Sequence, residues 1–252
     1  MNNDIIKSFI PQKELNPKIW YLPKEKTMGN SREQEEKLKP EIRNRLLEIA
    51  YEFIEFLDVD IIVTDIILTG SLSNYNWSKY SDFDLHIVAN FQQYDESQIG
   101  LYEKLFTLKK MIFNDKHDIT IKGYEVELYV QNETETHFSS GVYSVLFDEW
   151  ANKPKKENVD IDKKLLVSKT NEWMKNIDTL LDSIEDDDLE TAKNIVKKYK
   201  EKLKKYRTSG LEKDGEYSVE NLVFKILRRN GYIEKLHNKS VELIDKKLSM
   251  NQ

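Results

Sequence analysis

Asp82 and Asp84 are the pair whose types and spacing could do chemistry in this chain. In a strand, successive side chains point to opposite faces, so the two carboxylates of Asp82-Phe83-Asp84 project together while Phe83, Leu85 and Ile87 face the other way. Like charges side by side repel unless something positive lies between them, and a hard divalent cation with oxygen ligands is the usual partner. A two-metal site commonly needs a third carboxylate, because ions about 3.5 to 4 Å apart require a bridging group and further oxygens. The stretch HDITIKGYEVELYVQ, residues 117–131, reads as a hairpin turning at Lys122-Gly123, and it supplies Glu125 and Glu127 on one strand face. Glu127 is the choice, because Val126 and Leu128 flank it and present an acid from an otherwise buried strand.

These carboxylates need elements to hold them. Ile61 to Thr69 is a β-branched run of strand length that ends on Gly70-Ser71, and the polar stretch Leu72 to Ser81 reads as a loop with a short helix. A second strand is expected from Asp82 to about Ala89. Ile42, Leu46, Ile49, Phe53, Ile54 and Leu57 recur at helical spacing behind Pro40, and Leu101 to Phe113 is helical too. After Trp150 strand signals stop. Apolar spacing marks helices over Leu165–Ile184, Leu189–Tyr206 and Ile233–Leu248, and Ser218 caps a further one, SVENLVFKILRRN, that stops at Asn230-Gly231. TSGLEKDGEY, residues 208–217, is expected to be a mobile loop. Before the first helix, Pro11, Pro17 and Pro23 with anchors Ile19, Trp20 and Leu22 suggest an extended arm. The fold class is therefore α+β: an arm over 1–39, a mixed-sheet domain over 40–150 and a helical domain over 151–252.

Composition narrows the function. With 39% hydrophobic residues in 252 the chain can bury a real core, and without cysteine it has no disulfide, no thiolate catalysis and no Cys-ligated zinc. MNNDIIKSFIPQKELNPKIW lacks the basic start and long apolar run of a signal peptide, and no segment approaches membrane-span length, so a cytoplasmic location is expected. The net charge of −6 hides an asymmetry, −9 over residues 1–160 and +3 over 161–252. Between Lys193 and Arg207 eight basic residues accompany one Glu201, which reads either as a solvated helix face or as a contact for phosphate or nucleic acid.

The order of an apolar strand, Gly70-Ser71, ten intervening residues, Asp82-x-Asp84 and a later strand acid such as Glu127 resembles the nucleotidyltransferase superfamily. That superfamily has the DNA polymerase beta-like fold and includes poly(A) and CCA-adding enzymes, cyclic-dinucleotide synthases and antibiotic nucleotidyltransferases. TGSLSNYNWSKYSDFDLHI is also similar to uncharacterised phage nucleotidyltransferase-like proteins. The resemblance covers residues 61–130 and implies that 40–150 is the catalytic domain.

What it implies is a transferase dependent on Mg²⁺ or Mn²⁺ that moves a nucleoside monophosphate from an NTP to a hydroxyl and releases pyrophosphate. Asp82, Asp84 and Glu127 would hold the metal, and Gly70 and Ser71 would meet the triphosphate. Lys225 and Arg228, in the helical domain, would supply cations to it. The acceptor is open among an RNA end, another nucleotide, a protein and a small molecule, and the competing reading is a noncatalytic nucleotide- or RNA-binding module. His86 shares the strand face of Asp84 and has a structural role. Tyr75, Trp77 and Tyr80 could stack on a base or pack on the body. Ser139, Ser140 and Tyr143, in the segment 137–150, are candidate nucleotide contacts by the same resemblance.

Overall fold

The computed structural model describes residues 3–22, 35–135, 139–156, 159–185 and 188–249. Pro23, His137, Phe138 and the centre of the acidic turn at 186–187 lie outside the described residues. The chain divides into two compact units, Pro11–Asn158, and Met1–Ile10 together with Val159–Gln252. The fold is α+β, with a mixed sheet of six strands in the N-terminal half and helices after it.

In chain order the elements are α1 (Asn3–Lys7), β1 (Trp20–Tyr21), β2 (Lys37–Leu38), α2 (Pro40–Leu57), β3 (Val63–Thr69), β4 (Phe83–Ala89), α3 (Ile99–Lys116), β5 (Thr120–Ile121) and β6 (Tyr124–Asn132). They continue with β7 (Val142–Ser144), β8 (Glu149–Asn152), α4 (Lys163–Ser183), α5 (Leu189–Asp214), α6 (Val219–Arg229) and α7 (Tyr232–Leu248).

In the unit Pro11–Asn158 the sheet runs β5-β6-β4-β3-β7-β8, with β4 and β6 parallel and the other pairs antiparallel. Parallel neighbours need a long crossover, and α3 is that crossover. The hairpin turns at Lys122 and Gly123, whose φ values of 54° and 86° are the left-handed pair that a two-residue turn requires. α2 starts with Pro40 in its first turn and ends where Asp58 turns left-handed (φ 54°, ψ 42°). Its Ile42, Leu46, Ile49, Phe53 and Leu57 join Phe83, Leu85 and Ile87 of β4, Val126 and Leu128 of β6, and Phe106 and Phe113 of α3 in one core. Helices α2 and α3 thus cover one face of the sheet and leave the face that carries Asp84, His86, Glu127 and Tyr129. Of α3, Leu101, Leu108, Met111 and Ile112 face solvent.

Residues 11–22 lie on this unit. Trp20 is buried, stacks on Trp150 at 4.7 Å and donates from Nε1 to the Leu72 carbonyl at 2.8 Å. The arm also holds the loop before β4, since Trp77 Nε1 donates to the Glu14 carbonyl and Gln12 N to that of Tyr75.

In the helical unit, Asp162, Asp188 and Ser218 cap α4, α5 and α6, each side-chain oxygen accepting from backbone N–H groups of the first turn. Ile5, Ile6 and Phe9 in and just after α1 are buried, so the first residues are not extended. The segment 208–217 is not a loop either: α5 runs through it to Asp214 and a 3₁₀ turn, Gly215–Tyr217, leads into α6. Packing overrides local propensity there. A Cβ at Gly210 would come within 2.5 Å of Glu220 Cβ, so glycine is what lets the end of α5 lie against the start of α6. Among the described residues no helix is long and apolar enough to cross a membrane.

Candidate functional site

The register of the sheet assembles the carboxylates. Asp84 pairs with Glu127 across the parallel β4–β6 ladder and with Thr69 across β3–β4. Asp82 lies two residues before Asp84 and returns to the same face. Each of Asp82, Asp84 and Glu127 offers one oxygen, all within 4.8 Å of one another, and all three residues are half-buried. Glu125, two residues back along β6, is exposed and pairs with Thr120 of β5.

Gly70 ends β3 at φ 73° and ψ −159°, a backbone region essentially limited to glycine. A Cβ built there would fall 1.8 Å from Asp84 Oδ2 and 2.9 Å from its Cγ. The glycine therefore makes room for the aspartate. The following residues, Ser71–Ser73, form a 3₁₀ turn braced on both sides. Ser71 Oγ donates to Ser81 Oγ (2.8 Å), and Ser73 Oγ to the Gly141 carbonyl (2.8 Å). Ser139 Oγ accepts from Gly70 N (3.3 Å), and Asn74 Nδ2 donates to Ser140 Oγ (2.6 Å). Ser139 and Ser140 thus hold the loop that leads to the aspartates. Tyr143 is a core residue: it is fully buried, meets Trp20 and Trp150 edge-on, and its phenol donates to Asp148 Oδ1 at 2.7 Å. Tyr75 and Trp77 pack against the same core.

Two residues not anticipated from the sequence face the carboxylates. Tyr129 donates its phenol to Glu127 Oε2 at 2.5 Å, and Lys110 of α3 lies with Nζ 3.5 Å from the centre of the Tyr129 ring. Burial is the main cause that holds the Tyr129 phenol well above its ordinary pKa, followed by its hydrogen bond to Glu127 and the charges of Glu127, Asp84 and Asp82. The hydroxyl is a fixed donor. Burial pushes the Lys110 ammonium down, while Glu127 and Asp84 act to keep it charged. On the far side of Tyr129, the His86 ring stacks at 4.7 Å and 20°, and its Nδ1 lies 2.8 Å from Gln131 Oε1. His86 is built into the sheet face as a structural residue. Tyr129 was legible in principle, since it follows Glu127 by two on one strand; Lys110 had no signal, because only the packing of α3 on β6 brings it there.

The donor set fits a hard divalent ion. It consists of carboxylate oxygens alone, and Glu127 has one oxygen committed to Tyr129, which orients the other. Lys225 and Arg228 lie on α6, in the helical unit, with Lys225 half-buried and Arg228 exposed.

No curated protein and no solved structure matches the chain. A family model does: residues 47–149 match the nucleotidyltransferase domain, a span that runs from within α2 to the start of β8 and contains Gly70, Ser71, Asp82, Asp84 and Glu127. The chain carries a domain of the nucleotidyltransferase superfamily.

Proposed function

We propose that this domain transfers a nucleoside monophosphate from an NTP to a hydroxyl acceptor, with release of pyrophosphate, and that it does so with Mg²⁺ or Mn²⁺ held by Asp82, Asp84 and Glu127. The observation that carries the reading is the convergence of those three carboxylates beside a glycine whose Cβ would collide with Asp84. A bound divalent ion would lower the pKa of the acceptor hydroxyl and stabilise charge on the phosphoryl oxygens. The chain's own residues do the rest. Asp84 is fixed by the β3–β4–β6 register, Glu127 by the Tyr129 phenol, and Lys110 supplies a positive charge beside them. Gly70 and Ser71 would meet phosphate oxygens at the end of β3, and the serine braces keep that turn in place. No side chain is required as a covalent nucleophile.

Incubation of the chain with each α-labelled NTP and Mg²⁺ or Mn²⁺, with and without RNA, tests this. Labelled product from wild type that disappears in the Asp82→Ala, Asp84→Ala double variant supports it. Equal product from both, or calorimetric NTP binding with no turnover under any of these conditions, favours the noncatalytic module instead.

A further inference from the structure

Helix α5 of the helical unit carries a run of cations. At about 100° per residue, Lys197, Lys200, Lys204 and Arg207 of α5 fall within an arc of about 80°. That arc borders the buried stripe of Ala192, Val196, Leu203 and Gly210, and Glu201 falls about 40° beyond its other edge. Among the described residues none of these four makes an ion pair.

The stripe leads to α6. Arg207 is held rigidly, with Nε donating to Asn221 Oδ1 at 3.1 Å and its guanidinium 4.6 Å from the centre of the Phe224 ring. One turn after Asn221 comes Lys225, and one turn further Arg228. Lys225 makes no hydrogen bond or ion pair among the described residues, although it is half-buried. Burial depresses its pKa; among the charges that act on it Glu216 is the acid, and Arg229, Arg207 and Arg228 oppose it. A solvated surface lysine has no reason to be placed this way. Glu216 offsets part of the cost of desolvating that ammonium, and a phosphate beside Arg207 and Arg228 would offset more of it.

We infer that Lys197, Lys200, Lys204 and Arg207 of α5, together with Lys225 and Arg228 of α6, form a track for the sugar–phosphate backbone of a single-stranded nucleic acid. The Arg207–Lys225–Arg228 end is a pocket for one phosphate group. Charge complementarity along about 15 Å of helix selects a polyanion over a lone phosphate, since residues 197 to 207 span ten rises of 1.5 Å. The inference deepens the proposed function by naming an acceptor class, but its test needs no catalysis.

The full chain is titrated into a fluorescein-labelled 20-nucleotide RNA in EDTA, over a series of salt concentrations. Six phosphate contacts give a slope of about −4 in log K against log salt, a loss of roughly 300-fold between 50 and 200 mM. The Lys197→Ala, Lys200→Ala, Lys204→Ala variant should bring that slope to about −2, so that its affinity falls only about 20-fold over the same interval. Arg207→Gln should lower the slope by about 0.7. Unaltered affinity and slope in the triple variant overturn the inference. Equal competition by polyglutamate overturns it too, by showing a generic polyanion surface. Metal-free ATP that displaces the RNA at equimolar phosphate assigns the pocket to the donor triphosphate and overturns it as well. Because EDTA silences metal-dependent transfer, loss of RNA binding and loss of transferase activity are separate results.

Discussion

Replacing Gly70 by alanine isolates what the end of β3 contributes. The residue sits at φ 73° and ψ −159°, where a side chain costs about 1–3 kcal/mol of backbone strain. A larger problem is space: the new methyl group would lie 1.8 Å from Asp84 Oδ2 and 3.3 Å from Asp84 Cβ. Ordinary contact needs about 3.5 Å or more, so the Asp84 carboxylate must move by roughly 1.7 Å. Asp84 cannot do so and keep its place beside Asp82 and Glu127, whose offered oxygens lie within 4.8 Å of its own. The strain predicts a melting temperature lower by about 2–12 °C for a chain of this size. The displacement predicts a loss of transfer of about 100-fold or more, because a 1 Å misplacement is already worth that. Differential scanning fluorimetry reads the first and labelled-product formation the second, while Mn²⁺ titration by electron paramagnetic resonance reports the displaced carboxylate without requiring turnover. A Gly70→Ala variant with wild-type melting and wild-type Mn²⁺ affinity would show that the close approach to Asp84 is not a constraint and would refute the reasoning.

Three other substitutions probe the surroundings. Tyr129→Phe removes the donor to Glu127 Oε2 and should weaken Mn²⁺ binding by about 10- to 100-fold with little change in melting, again read by resonance titration; unchanged affinity would deny Tyr129 an orienting role. Lys225→Met should stabilise the chain near neutral pH. Because the folded pKa of Lys225 is depressed, first by burial, the unfolded chain binds the extra proton between the folded pKa and the ordinary lysine value. Wild-type stability should therefore rise with pH through that window, and the variant should lack this rise; parallel urea midpoints from pH 7 to 10.5 would contradict it. Gly210→Ala should destabilise despite a gain of about 1 kcal/mol in helix propensity, since overpacking against Glu220 and Ser218 costs about 1–3 kcal/mol. A melting temperature above wild type would show that α6 yields freely.

Local rules made much of this protein readable before its fold was known. Strand alternation put Asp82 and Asp84 on one face, and Lys122-Gly123 announced the turn that the chain adopts. Apolar periodicity located α2 and the C-terminal helices, and Ser218 was legible as a cap because capping depends only on the next three residues. These are relations between neighbours. Where packing competes with propensity they misled: the glycines and serine of 208–217 read as a loop, yet Gly210 is helical because α6 presses on it. Tyr143 read as a ligand contact, and two tryptophans bury it.

By its order of residues alone the chain set out the acidic pair, favoured Glu127 over Glu125 as the third acid, and carried the family resemblance. Tertiary structure decided what each is set against: Asp84 against Gly70, Glu127 against Tyr129, Lys110 of α3 over that ring, and Arg207 of α5 beside Asn221 of α6. The reason is physical. Periodicity and capping act over a few residues, whereas these contacts join elements whose approach is set by sheet register and helix packing.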